Sequence, residues 1–223
     1  MASTLASPPT TETLADLVAR LGNIPLCRIR ARPAPGLATE EDLLAQLHDG
    51  KNLYELVDGA LVEKAMGFRE SLLALALGSM LRAFVLERNL GLVSGADGIV
   101  RLFPGLTRIP DVAFVSWERI PEGRIPEEPI ADLVPDLAVE VLSAGNTPAE
   151  MARKRREYFA AGVRVVWIVD PNARTVAVYS EPERFVTLDE SANLEGGEVL
   201  PGFTLSLRDL FAELDRHASE RRE

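Results

Sequence analysis

The sequence predicts a single α/β domain with a mixed sheet and few helices. Three observations carry this: one long apolar helix between 68 and 89, a strand–helix–strand unit between 136 and 169, and short alternating runs cut by turn dipeptides elsewhere. At 223 residues the chain has room for one domain and an arm.

Taken in order, residues 1 to about 14 are rich in Ser, Thr and Pro and are expected to fray. A short helix follows at Ala15–Leu21. The stretch Ile24–Arg32 alternates, with Arg28, Arg30 and Arg32 in a row, and reads as an edge strand ended by Pro33 and Pro35. Such an edge could pair with a second copy, so a homodimer is expected. Thr39 followed by Glu40, Glu41 and Asp42 opens a helix to about His48, with Gly50 beyond. Asp58-Gly59 between Tyr54–Val57 and Ala60–Lys64 marks a hairpin. The long helix ends at Gly91. Strands are expected at Leu92–Ser94, Gly98–Phe103 and Arg108–Val115, a loop over 116–133, and an apolar strand at Asp136–Ser143.

Thr147-Pro148-Ala149-Glu150 is a capping box with proline at the first helical position. Its helix runs to about Ala161 and stops at Gly162. Val163–Val169 reads as a buried strand, closed by Asp170-Pro171-Asn172. Thr175–Tyr179 and Phe185–Leu188 continue as a meander. Ser206 caps a last helix, Leu207–Arg216. The organisation expected is an arm at 1–37, a domain at 38–211 and a charged tail at 212–223.

Composition excludes several classes. One cysteine rules out a disulfide scaffold and a Cys-rich zinc site, and two histidines, His48 and His217, leave little for an imidazole metal centre. Any metal chemistry rests on carboxylates, which suit Mg²⁺ or Mn²⁺. A net charge of −10 disfavours broad adhesion to nucleic acid but allows a local basic cleft. There is no signal peptide pattern, and the apolar stretch Leu72–Leu86 is interrupted by Arg82 and too short for a bilayer. A cytoplasmic protein with no membrane partner is expected.

Charges placed where the pattern requires an interior are the informative residues, because a buried charge is costly unless paired or bound to metal. Asp111 alternates with Ile109, Ala113 and Val115, on an apolar face; a strand-end Asp bonding a loop amide would look the same. Glu140 lies mid-strand and shares its face with Ala138 and Leu142; pairing with an arginine is the structural alternative. Lys154 falls in the stripe Met151, Lys154, Tyr158, Ala161, where a long stem could also snorkel to the rim. Glu70 lines up with Leu73, Ala74, Leu77 and Leu81, and also suits a helix N-terminus. Inward carboxylates without histidine or cysteine make a hard-cation site, and a lysine beside them can orient water or stabilise developing negative charge. The matching chemistry is metal-assisted phosphodiester hydrolysis. A purely structural Glu140–Lys154 ion pair is the bland alternative.

The blocks Tyr54-Glu55-Leu56-Val57-Asp58-Gly59, Pro110-Asp111-Val112-Ala113-Phe114-Val115, Pro135-Asp136-Leu137-Ala138-Val139-Glu140-Val141-Leu142-Ser143 and Lys154-Arg155-Arg156-Glu157-Tyr158 follow one family's order. So do Gly162-Val163, Val166-Trp167-Ile168-Val169-Asp170-Pro171 and Pro201-Gly202-Phe203. Together they resemble the Uma2 family (DUF820) of restriction-endonuclease-like proteins, within the PD-(D/E)XK nuclease superfamily, over roughly residues 38–211. The resemblance implies a restriction-endonuclease-like core, a central mixed sheet flanked by helices. It implies Asp111 and Glu140 as the motif acids, Glu70 as the acid of the first core helix, and one or two Mg²⁺ or Mn²⁺ ions held by these acids with the carbonyl of Val141. Leu142 stands where the motif lysine belongs, so Lys154 on the next helix takes that role, with Tyr158 beside the site contacting substrate or filling space. The implied activity is endonucleolytic cleavage of nucleic acid, DNA first, leaving a 5′-phosphate. Arg153 and Arg156 are the expected phosphate contacts, among further candidates Arg28, Arg30, Arg32, Arg101 and Arg108. The alternative is a nuclease fold with a decayed site, acting as a nucleic-acid- or protein-binding module.

Overall fold

The structure, a computed structural model, describes residues 13–49 and 52–216. Expectations for the frayed N-terminus before Thr13, for Gly50, for His217 and for the end of the charged tail lie outside these residues. Thr13 caps α1 (Leu14–Arg20) in a reciprocal box with Asp16. Then come α2 (Glu40–Asp49), the hairpin β1 (Tyr54–Val57) and β2 (Ala60–Glu63), and α3 (Phe68–Arg88). Strands β3 (Gly91–Ser94), β4 (Ile99–Phe103), β5 (Leu106–Arg108), β6 (Val112–Ser116), β7 (Ile130–Ala131) and β8 (Leu137–Val141) lead to α4 (Pro148–Ala161). The chain closes with β9 (Val165–Asp170), β10 (Thr175–Glu181), β11 (Arg184–Asp189), β12 (Asn193–Glu195), β13 (Thr204–Ser206) and α5 (Leu207–Ala212).

Six strands form the central mixed sheet in the order β11-β10-β9-β8-β6-β3. Only β8 and β9 run parallel, as expected for strands joined by the α4 crossover. The two faces divide cleanly. Leu137, Val139 and Val141 of β8 pack with Leu73, Leu77 and Leu81 of α3, while Ala138 packs with Met151 and Tyr158 of α4. Glu140, two residues on from Ala138, therefore faces α4. A smaller sheet, β5-β4-β7, and the β1-β2 hairpin lie beside this core.

Two expectations are corrected. The stretch 24–32 is not an edge strand. Leu26–Arg28 is a 3-10 turn, and what remains of pairing is a single bridge between Ile29 and Val62. The cause is Arg28, which is buried. Its guanidinium donates to the carbonyls of Glu63 and Gly145 and to both oxygens of Glu150, partners that a strand with an outward arginine row could not reach. The argument for a homodimer through that edge goes with it. The expected strand 108–115 is in fact two strands in two sheets. Pro110 has no N–H for a ladder. Ile109 N–H donates to the Glu55 carboxylate, Asp111 N–H to the Val139 carbonyl, and the chain changes sheets between them. That switch places Asp111 at the mouth of β6. The short β12-β13 hairpin, which the sequence pattern missed, brings Leu194, Phe203 and Leu205 onto the α3 face.

The entry of α4 is fixed by its capping box. Thr147 Oγ1 accepts from Glu150 N–H at 3.0 Å and donates to the Gly22 carbonyl, tying the first helix to the fourth. Gly22 has φ +88°, and a Cβ there would lie 2.4 Å from the Glu150 nitrogen, so only glycine permits this approach. Thr147→Ala is expected to cost about 1–2 kcal/mol of unfolding free energy in urea titration; an unchanged midpoint would contradict this account of the junction.

Candidate active site

Asp111 and Glu140 are neighbours on adjacent strands. Val112 is registered with Val139, so Asp111 comes opposite Glu140 on the face covered by α4. Asp111 Oδ2 accepts the Val141 N–H at 2.6 Å, which pins the carboxylate to β8. From the helix above, Lys154 Nζ lies 3.1 Å from both Glu140 oxygens, and Tyr158 Oη donates to Glu140 Oε1 at 2.6 Å. The four–residue step from 154 to 158 places both groups on one face of α4.

A third carboxylate completes the cluster. Glu55, in mid β1, is fully buried and lies 3.0 Å from Lys154 Nζ. It also accepts from Arg108 at 2.6 Å and from the Ile109 N–H at 3.0 Å. Arg108 in turn grips Glu157 of α4. Lys64, just past β2, sets its Nζ 2.8 Å from Asp111 Oδ1. Glu55, Asp111 and Glu140 are thus matched by Lys64, Arg108 and Lys154, all with side chains nearly closed to solvent.

The electrostatics separate the acids. Burial pushes Glu55 up, but Lys154, Arg108 and the Ile109 N–H outweigh it and hold its carboxyl well below the usual range. Burial pushes Glu140 up as well. There Lys154 opposes the rise, the Asp111 and Glu55 charges add to it, and the net direction is upward. Burial would discharge Lys154, yet Glu140 and Glu55 keep it a firm cation. Tyr158 is raised by burial and by the Glu140 charge, so its hydroxyl stays a donor.

Among the expected site residues, Asp111, Glu140, Lys154 and Tyr158 come together. Tyr158 is fully enclosed and acts on Glu140, so here it is a positioning group rather than a substrate contact. Glu70 stands apart, half-buried in the first turn of α3 and folded back over Gly67. Among the described residues no three Asp, Glu, His or Cys side chains group as a metal site. Arg153 is committed to Asp58, Glu157 and the Arg20 carbonyl, whereas Arg156 is exposed and only 3.9 Å from Glu183. Arg28, Arg101 and Arg108 are likewise held by carboxylates. Arg30 lies over the Tyr54 ring, and Arg32 is exposed. Sequence reading missed Glu55 and Lys64. Glu55 alternates with Tyr54 and Leu56 inside an apolar run, the same signal that exposed Glu140; Lys64 had none.

Two clefts reach the cluster. One of about 370 Å³ is lined by Lys64, Gly67, Glu70 and Ser143. Another of about 270 Å³ is lined by Ser71, Gly78, Arg82 and Asp111. The donor set suits a hard cation. Asp111 Oδ1 is buried and is met by the Lys64 ammonium alone among the described donors, and the Asp111 and Glu140 charges repel each other across the strand pair. Two carboxylates suffice for Mg²⁺, which keeps several of its waters.

Comparison with known proteins agrees with this architecture. A family model described as "Uma2: Putative restriction endonuclease" matches residues 41–208, well over half of the chain, and the protein belongs to that family. Its fold is restriction-endonuclease-like: a solved structure titled as a putative nuclease belonging to DUF820, from Anabaena variabilis ATCC 29413, superposes with a TM-score of 0.66 at 22% identity. The match covers 77% of this chain and 98% of that one. No curated protein matches. Among the described residues no helix is long and apolar enough to cross a membrane.

The opposite shifts of the two glutamates predict opposite mutational costs. Glu55→Gln removes the anion between two buried cations and is expected to cost about 3–5 kcal/mol. Glu140→Gln, relieving a carboxylate that burial already disfavours, is expected to cost far less. Because the folded-state pKa of Glu55 is depressed, its contribution is present above the unfolded carboxylate value and is lost as pH falls through and below it. Denaturant titrations of both variants at neutral and acidic pH check this; equal losses would contradict it.

Proposed function

We propose that this protein is a divalent-metal-dependent endonuclease that hydrolyses phosphodiester bonds, with DNA as its first substrate. The observation that carries the reading is the pair Asp111 and Glu140, facing one another across β6 and β8 with Lys154 held against Glu140 from the next helix. Family membership and fold support a nuclease. Asp111 and Glu140 would hold Mg²⁺ or Mn²⁺, and the ion would supply an activated water and neutralise the scissile phosphate.

The chain's own residues supply the rest. Tyr158 fixes the Glu140 carboxylate by its hydrogen bond, and Val141 N–H fixes Asp111. Glu55 holds the Lys154 ammonium charged and in place, so that it can stabilise the negative charge that develops on the phosphoryl oxygens. The clefts beside Glu70 and Arg82 give a strand its route to the site. Arg156, open to solvent, and Arg82, with no acidic partner among the described residues, are suited to backbone phosphates.

A second reading has its own support. Three anions matched by three cations, all closed to water, is also the form of an interior ion network. In that case the fold serves as a binding module without chemistry.

Nicking of supercoiled plasmid and cleavage of single-stranded DNA in Mg²⁺ or Mn²⁺ decide between them. The wild-type chain is expected to cleave, and Asp111→Ala and Lys154→Ala each to lose at least about a hundredfold in rate. Cleavage that survives Asp111→Ala would overturn the mechanism, and no cleavage of either substrate would favour the binding module.

A further inference from the structure

Lys64 carries no motif, yet it touches a buried acid oxygen that takes no hydrogen bond from any other described residue. Asp111 Oδ2 is taken by Val141 N–H. Oδ1 is buried, accepts no hydrogen bond, and is faced by Lys64 Nζ at 2.8 Å. The ammonium's own hydrogen bond goes to the Ile109 carbonyl.

The two lysines of the cluster are anchored differently. Lys154 lies between two carboxylates, 3.0 Å from Glu55 and 3.1 Å from Glu140, on a helix packed into the core. Lys64 has one carboxylate, stands at the end of a hairpin, and lines an open cleft of about 370 Å³ with Ala65, Gly67, Glu70 and Ser143. A flexible four-carbon stem beside open volume can withdraw; Lys154 lines neither of the two clefts that reach the cluster.

Charge balance gives that withdrawal a purpose. Around Asp111, Glu140 and Glu55 already stand three cations, Lys64, Lys154 and an Arg108 shared with Glu157. A divalent ion adds two positive charges to a site with little water to screen them. Removing one ammonium offsets part of that excess.

Resting on the metal-dependent reading above, we propose that Lys64 is the resident counter-ion of Asp111, and that a divalent cation binds there only by displacing it. Metal entry and departure of the Lys64 ammonium into the cleft are then one event. The freed ammonium lies where an anionic phosphodiester would approach. Metal and nucleic acid therefore bind cooperatively, and by linkage each raises the affinity for the other.

The test is Mn²⁺ binding by calorimetry to the full chain without nucleic acid, in wild type, Lys64→Met, Lys64→Gln and Lys64→Arg. The Met and Gln variants are expected to bind Mn²⁺ about tenfold or more tightly than wild type, since a unit charge beside the ligand is removed. Lys64→Arg, which keeps the charge, is expected to stay near wild type. The Mn²⁺-induced rise in melting temperature should follow the same order. Equal or weaker binding by both neutral variants, in a wild type whose binding is lost in Asp111→Asn, overturns the role of Lys64 and leaves the metal site standing. Absence of binding in every variant overturns both.

Discussion

The interior of this protein depends on a lysine ammonium held about 3 Å from two buried carboxylates. Lys154 links the helix α4, the sheet strand β8 and the outlying hairpin β1-β2. Without it, Glu140 would be an uncompensated anion in a dry core, a state that proteins avoid by unfolding or by taking up a proton, and Glu55 would be left to Arg108. Much of the surrounding architecture serves that contact. The capping box aims α4, Gly162 ends it in the left-handed conformation, and the parallel β8-β9 pair gives α4 a floor.

The same constraint fixes the charges of side chains that are themselves nearly closed to water. Oppositely charged neighbours hold Glu55 ionised and Lys154 protonated, while burial and two nearby anions push Glu140 the other way, toward its neutral form. Desolvation raises the value of each remaining charge to an incoming ion or phosphate. Placing Asp111 at the switch between two sheets adds a carboxylate with one oxygen pinned and the other without a hydrogen bond. A divalent cation arriving at that oxygen meets the Lys64 ammonium as a competitor of like charge.

Much of this was legible in the sequence wherever local pattern and global fold agree. The Asp58-Gly59 hairpin, the long helix and the strand–capping box–helix–strand unit lie where their residues point. Alternation put Glu140 on the α4 face and helical spacing put Lys154 above it. The failures share a cause: partners distant in the chain. Arg28 looked like one of an outward row until Glu150, far along the sequence, drew it inward. Residues 108–115 looked like one strand because Pro110 gave the only local hint of a break. Glu55 was hidden inside a hairpin that seemed explained by its turn, and Lys64 becomes meaningful only beside Asp111. The strands β12 and β13, three residues each, are too short to show a period.

The most direct test of the central claim, that this ion cluster is a latent hard-cation site, is diffraction from crystals soaked in Mn²⁺, recorded for manganese anomalous scattering. The account predicts an anomalous peak touching the carboxylates of Asp111 and Glu140, with Lys154 still on Glu55 and Lys64 withdrawn from Asp111. A saturating soak that leaves no peak there, with both lysines in their present contacts, would contradict it and leave the cluster an interior ion network.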